Sequence, residues 1–348
     1  MLRIGVIGCG KITAVRHAPE YAENPNCELA AWYDAIPERA QALADLYGGT
    51  VYDSIDALLQ SGVDAVSVCV ANCDHASVTI RALEAGCHVL CEKPMANTLQ
   101  ECEDMTAASL RTGKRLLLGH NQRFTRSHQE ARRLIAEGAI GRILAFHTAF
   151  SHPGPEGWTG LKNSWFYNKA MVGMGVLADL GIHKTDLLHY LLGEPIVSVS
   201  AAIDTLHKKL PTGERIPVDD NAMCLYRTAS GVMGQLHVSW TNYGEEDNST
   251  RLYGTEGVMR LYDDPEYSLI IEHHDGEPVK LKLDEITTNK KQTDGNRKST
   301  GVIDAFITAI LTGEPSVADA TEALKAMRVV FASKQSAQEK RTIDIVHA

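Results

Sequence analysis

Apolar and polar positions follow two different rhythms along this chain. Through the first 120 residues, short and nearly unbroken apolar runs occur at 2–7, 29–33, 65–70, 88–91 and 115–118. Each has the length of a buried strand. Between them the spacing turns helical. In 38–47, Ala40, Leu43, Ala44 and Tyr47 recur at helical intervals. The segment 98–110 opens with Thr98-x-x-Glu101, a capping-box pattern that marks a helix start. Near-continuous apolar strands joined by helices predict a parallel sheet covered on both faces, that is, a doubly wound α/β domain.

Beyond residue 140 the rhythm lengthens and alternates. Strands are expected around 142–151, 196–204, 221–229, 232–240, 249–263 and 267–283, with hairpin signals at Ser230-Gly231 and Glu256-Gly257. In 232–240, Val232, Leu236, Val238 and Trp240 share one face, while Gln235, His237 and Ser239 share the other. One apolar and one polar face predict a large, open, mostly antiparallel sheet whose polar side meets water or a sister subunit. A helix over 318–335 closes the pattern. The expected domains are therefore 1–121, doubly wound, and 122–348, an α+β domain. A homodimer or homotetramer formed through the second sheet is the expected assembly.

Composition narrows the function classes. A chain of 348 residues suits two domains of about 150 residues each. Hydrophobic residues at 44% and charged residues at 22% exclude wholesale disorder. The formal charge of -10 argues against nucleic acid as a partner. No apolar run approaches the roughly 18 residues of a membrane helix, so no membrane partner is expected. MLRIGVIGCG leads straight into a strand without the layout of a signal peptide, so a cytoplasmic location is expected. All eight cysteines except Cys224 lie within the first 102 residues, and none forms a C-x-x-C pair. They read as buried, reduced thiols. No metal site is expected; His273-His274 reads as surface.

Residues 4–13, IGVIGCGKIT, run from an apolar strand into Gly8-Cys9-Gly10 and then into a helix. Glycine here permits a tight turn and lets backbone N–H groups approach a pyrophosphate, so Gly8, Gly10, Lys11 and Ile12 are expected to bind a dinucleotide. Thr13 replaces the third glycine of the fingerprint. Asp34 follows the next strand, 24 residues beyond Gly10, where a carboxylate accepts the ribose hydroxyls and repels a 2′-phosphate. NAD is therefore expected over NADP, unless Arg39 reaches such a phosphate. With this loop the first domain reads as a Rossmann fold.

The stretch HVLCEKPMANT at 88–98 resembles the Gfo/Idh/MocA oxidoreductases (glucose–fructose oxidoreductase and inositol dehydrogenase-like), whose hallmark is a strand ending in Glu-Lys-Pro, here Glu92-Lys93-Pro94. The resemblance extends over nearly the whole chain. It implies cofactor contacts from Glu92, Lys93 and the loop Ala71 to His75, with Asn72 and His75 matching and Val70-Ala71 replacing the usual Thr-Pro. Gly173–His183, GMGVLADLGIH, is similar to the family's Asp-x-x-x-His segment, which implies catalytic roles for Asp179 and His183, with Met174 as a departure. GTEG at 254–257 matches a family hairpin.

Independently of the family, Lys93 precedes a proline and is held extended at a strand's carboxyl end, where α/β sheets bind ligands. In 176–192, Asp179, His183, Asp186 and Tyr190 form a polar stripe along one helix, the last two read as structural. Asn121 and Arg123 are read either as cofactor and substrate contacts or as an interdomain hydrogen bond. His152, Trp165 and Asn168 belong to an irregular segment expected to cover the substrate; Trp158 and Trp165 either stack on a sugar face or pack within that loop. The expected reaction is NAD-dependent oxidation of a secondary alcohol of a sugar, inositol or polyol. His183 acts as general base, Lys93 stabilises the oxygen, and Asp179 binds a neighbouring hydroxyl or tunes His183. An NAD-dependent glycoside hydrolase and a non-catalytic cofactor sensor are the alternatives on the same fold.

Overall fold

The computed structural model describes residues 1–160, 164–285 and 299–347. It divides into two compact units. The first opens with β1 (Leu2–Ile7), a π-helical turn at Thr13–His17, α1 (Ala18–Glu23), β2 (Cys27–Tyr33) and α2 (Pro37–Tyr47). It continues through β3 (Thr50–Val51), α3 (Ile55–Leu59), β4 (Ala65–Val68), α4 (His75–Glu84), β5 (His88–Cys91), α5 (Leu99–Thr112) and β6 (Leu116–Leu118). The strands lie parallel in the order β3-β2-β1-β4-β5-β6. That is the Rossmann order, and its direction reverses between β1 and β4, where ligands bind outside the strand ends. Ile4, Val6, Val66, Val68, Val89 and Leu90 are fully buried. Each such side chain stabilises the sheet by about 1.5–3 kcal/mol. The capping box at Thr98 and Glu101 is present, and α5 stops at Gly113 in the left-handed region.

The second unit begins after Asn121. It contains α6 (Arg126–Ala136), β7 (Ile143–Ser151), and the short helices α7 (Pro155–Thr159) and α8 (Lys169–Val172). A second π-helical turn, Leu177–Gly181, runs directly into α9 (Ile182–Leu192). Then follow β8 (Ile196–Asp204), β9 (Asn221–Thr228), β10 (Met233–Ser239), β11 (Thr250–Gly254), β12 (Gly257–Leu261), β13 (Leu269–His273) and β14 (Val279–Leu281). With β15 (Ile343–Asp344), among the described residues they form a nine-stranded sheet in the order β14-β13-β12-β11-β7-β10-β9-β8-β15, all antiparallel except the parallel pair β7–β10. The side expected to be polar is not uniformly so. On β9 the inward residues Ala222, Cys224 and Tyr226 alternate with outward Met223 and Leu225, which are more than half exposed, as is Met233 on β10.

The chain then returns to the first unit, to which 299–324 belong among the described residues. This differs from the single division after residue 121 read from the sequence. The reason is α10 (Val302–Thr312), whose Val302, Ile303, Phe306 and Ile307 are buried. Glu20 of α1 holds its start, accepting from the Thr300 N–H and hydroxyl at 3.0 Å each. Leu118 at the end of β6 donates its N–H to the Ala318 carbonyl. The last elements are α11 (Ala320–Glu339) and β15 (Ile343–Asp344), which pairs with β8.

Candidate active site

In the first unit the sequence-expected residues gather at the carboxyl ends of β1, β2, β4 and β5. Gly8 sits at φ +99, and a Cβ there would lie 2.5 Å from the Cys69 backbone, so only glycine fits. Around Gly10 the space is open, and Lys11 and Ile12 lead into the π-helical turn. Thr13, fully buried, donates its hydroxyl to the Gly8 carbonyl at 2.6 Å. The residue that replaces the third glycine therefore closes the loop by itself. Asp34 accepts the Cys9 N–H at 2.6 Å and the Ile36 N–H at 2.8 Å, which fixes its carboxylate beside the loop. Arg39 is exposed on α2. A strand, a close-fitting glycine, an open glycine, a helix start and a lateral acid form a cradle that fits a dinucleotide. Gly8, Gly10, Lys11, Ile12 and Asp34 would hold it.

Lys93 follows β5 at a cis Lys93–Pro94 bond and is half-buried. Two neighbours expected to touch the cofactor have other partners. The Glu92 carboxylate meets His17 Nε2 at 2.9 Å and accepts the Lys93 N–H at 3.1 Å. His75 is buried with Nδ1 at 2.8 Å from the Pro94 carbonyl and Nε2 at 3.2 Å from that of Val70. It thus ties the loop Ala71–Asn72 to the Glu-Lys-Pro turn, and burial lowers its pKa. Asn121 Oδ1 is buried with no hydrogen-bond partner among the described residues, an acceptor open to a ligand.

In the second unit, Asp179 lies in the π-helical turn and His183 in the first turn of α9. The start of that turn is clamped by Asp219, which accepts the Gly175 N–H at 2.7 Å and the Leu177 N–H at 2.8 Å. A Cβ at Gly175 would fall 2.0 Å from the Asp219 carbonyl oxygen. His183 is 8% exposed, with its ring 5.9 Å from Phe150, whose ring is 5.8 Å from His152. Asp179 Oδ2 accepts from the indole of buried Trp240 at 3.2 Å. Phe166 packs 4.3 Å from Trp165 and 6.4 Å from Trp240. The acid and the histidine therefore share a wall with Phe150, Trp165, Phe166 and Trp240. The side chain of Trp158 lies outside the described residues. Among the described residues no group of three or more metal-ligating side chains converges.

Two comparisons of sequence agree with this geometry. A profile described as an oxidoreductase family with an NAD-binding Rossmann fold matches residues 2–120, and one described as the GFO/IDH/MocA C-terminal domain matches 128–260. The chain belongs to the Gfo/Idh/MocA oxidoreductases. As a member it is an NAD-binding oxidoreductase of the sugar and inositol dehydrogenase kind. It is 28% identical to inositol 2-dehydrogenase of Rhizobium meliloti (strain 1021) over 346 residues, 99% of each chain. It is 39% identical to D-glucoside 3-dehydrogenase of Escherichia coli (strain K12) over 204 residues, 58% of this chain and 57% of that one. Among solved structures, aldose-aldose oxidoreductase from Caulobacter crescentus complexed with glycerol superposes with a TM-score of 0.84 at 28% identity, covering 99% of both chains.

Within this Gfo/Idh/MocA chain, three residues expected at the substrate, Arg123, Asn168 and His152, make hydrogen bonds inside the second unit. Arg123 is buried in a bidentate pair with Asp186, at 2.7 and 2.8 Å, and stacks over Tyr190. Its charge is neutralised inside the unit by Asp186, and the Tyr190 ring lies under the guanidinium. Asn168 is exposed and caps α8, accepting the Ala170 N–H at 3.0 Å. His152 accepts the Gly154 N–H at 2.9 Å. Sequence reading missed His17, Phe150, Asp219 and Trp240. Only Trp240 carried a signal, its place on the apolar face of 232–240.

Proposed function

We propose that this protein oxidises a secondary alcohol of a sugar, inositol or related polyol, with NAD preferred over NADP. The observation that carries the reading is His183, buried one turn beyond Asp179 in a wall of aromatic side chains. When bound, NAD supplies the acceptor for the hydride that leaves the carbinol carbon. His183 takes the hydroxyl proton, a step suited to imidazole because its ordinary pKa lies near 6.5. Lys93 donates to the reacting oxygen and stabilises the charge that develops there. Asp179, held by the Trp240 indole, receives a neighbouring hydroxyl. Trp165 and Phe166 offer apolar faces to the C–H surface of a sugar ring. The names of the relatives, one an inositol and one a D-glucoside dehydrogenase, support this substrate class. The carboxylate of Asp34 beside the loop supports NAD, since a 2′-phosphate there would meet like charge. The exposed Met223, Leu225 and Met233 support self-association through the outer face of the second sheet.

The test is absorbance at 340 nm with a panel of inositols, aldoses and glycosides, each with NAD+ and NADP+. A substrate-dependent rise with NAD+ is expected. His183→Ala should lower kcat by about 10²- to 10⁴-fold, the range of a lost general base, and Lys93→Ala should lower kcat far more than it weakens NADH binding in fluorescence titrations. Silence across the panel while NADH still binds would overturn the dehydrogenase reading. Glycoside cleavage without net NADH would replace it with hydrolysis.

A further inference from the structure

His17 lies on the helix that follows the glycine loop, far in sequence from Lys93, yet the two are joined through Glu92. The imidazole is 4% exposed. Its Nε2 lies 2.9 Å from Glu92 Oε1, and Lys93 donates its N–H to the second oxygen of the same carboxylate at 3.1 Å. On the other side, His17 Nδ1 meets Ser67 Oγ at 3.0 Å, and Ser67 meets the Tyr21 hydroxyl at 2.8 Å. Gly119 leaves room for this carboxylate, since a Cβ there would lie 3.1–3.2 Å from its atoms. Glu92 is thus held by hydrogen bonds at both oxygens.

The electrostatics point the same way. Burial opposes charge on both groups, but Cys69 and Glu92 beside the imidazole raise the pKa of His17. His17, Lys93 and Arg16 hold the Glu92 carboxyl below its usual range. Both shifts run toward the charged forms, and the 2.9 Å contact makes the two a buried, hydrogen-bonded pair. Such a pair has one good geometry, and removing either partner leaves the other charge uncompensated.

We infer that His17 is a positioning residue for the reaction: acting through Glu92, it sets the backbone from which Lys93 reaches the reacting oxygen. It links the helix beside the cofactor loop to the strand end that carries the lysine. The inference rests on the role proposed above for Lys93.

The test compares His17→Leu, which deletes both donors, with His17→Gln, which keeps an N–H for Glu92. In full-length protein, His17→Leu should lower kcat about 10- to 100-fold, the scale of a small misplacement at a reacting group. KM and the NADH Kd should stay within about threefold. His17→Gln should recover most of the loss, and the double variant His17→Leu/Glu92→Gln should be no worse than the poorer single one. Independently of activity, the NMR signal of [13C]dimethylated Lys93, assigned by its loss in Lys93→Arg, should shift in His17→Leu and stay near its native position in His17→Gln. Native kcat in His17→Leu, or a loss that only tracks the unfolded fraction while the Lys93 signal stays put, would overturn the inference. If Lys93→Ala itself keeps full activity, the role of Lys93 fails, and the NMR comparison alone decides the role of His17.

Discussion

Trp240 donates its indole hydrogen to Asp179 Oδ2 and is fully buried. An indole N–H donates and never accepts, so the contact holds Asp179 Oδ2 as an acceptor in one orientation. Trp240→Phe keeps an aromatic ring and deletes the donor. We expect about 1 kcal/mol of lost stability and a rise in substrate KM larger than the fall in kcat. Steady-state kinetics and thermal melts on one preparation measure both; kinetics unchanged beside a lowered Tm would leave Trp240 a packing residue only. Trp240 also shows why part of the site was hard to read in the sequence. Gly8, Lys93 and His183 announce themselves because their covalent neighbours define them: a strand and glycine before, a proline after, an acid one turn back. The roles of His17, Asp219 and Trp240 come from partners 75, 44 and 61 residues away. Arg123 and Asn168 show the same dependence from the other side. The sequence shows a charge and an amide; that Asp186 pairs with the one and the Ala170 N–H bonds the other is visible only in the fold.

At the scale of elements, the parallel strands were legible because burial on both faces leaves continuous apolar runs, as in Ala65–Val68 and His88–Cys91. β3 has two residues and no pattern to find. The helix α10 carried an apolar period but sits beyond the point where the rhythm had become that of strands. A second surprise is inside α9. Lys184, adjacent to His183, is fully buried, with Nζ 2.8 Å from the Asn248 carbonyl and 3.3 Å from Thr250 Oγ1. Burial lowers its pKa to about 7, against the opposing pull of Asp247 and Glu246. The unfolded chain keeps this proton up to about pH 10.4, so the native state binds fewer protons between those values and the contribution of Lys184 to stability rises with pH there. Lys184→Met should therefore raise Tm most at pH 6, relative to the native protein, with the difference shrinking toward pH 10. Loss of the Asn248 contact shifts Tm equally at every pH, so melts at pH 6, 8 and 10 test the slope. A difference that does not vary with pH rules the effect out.

The whole molecule is built from a first unit that the chain leaves and re-enters. Val302, Ile303, Phe306 and Ile307 are at most 6% exposed. At about 1.5–3 kcal/mol for each buried apolar side chain, α10 contributes an amount comparable with the entire 5–15 kcal/mol that stabilises a domain. Residues 1–121 expressed alone should therefore melt without cooperativity and bind NADH weakly, and fusing 299–324 through a short linker should restore both, as followed by circular dichroism and NADH fluorescence. A cooperative melt from 1–121 alone would show that α10 is dispensable. The same arrangement bears on how such genes can be recombined. A single crossover after codon 121 transplants a nucleotide module whose closing helix still comes from the other parent, so the two halves of one hydrophobic interface must already match. The strands β7 to β14, by contrast, are encoded in one uninterrupted stretch. A cassette exchanged there can bring in a new ligand wall while leaving both pieces of the nucleotide module with their own ancestry.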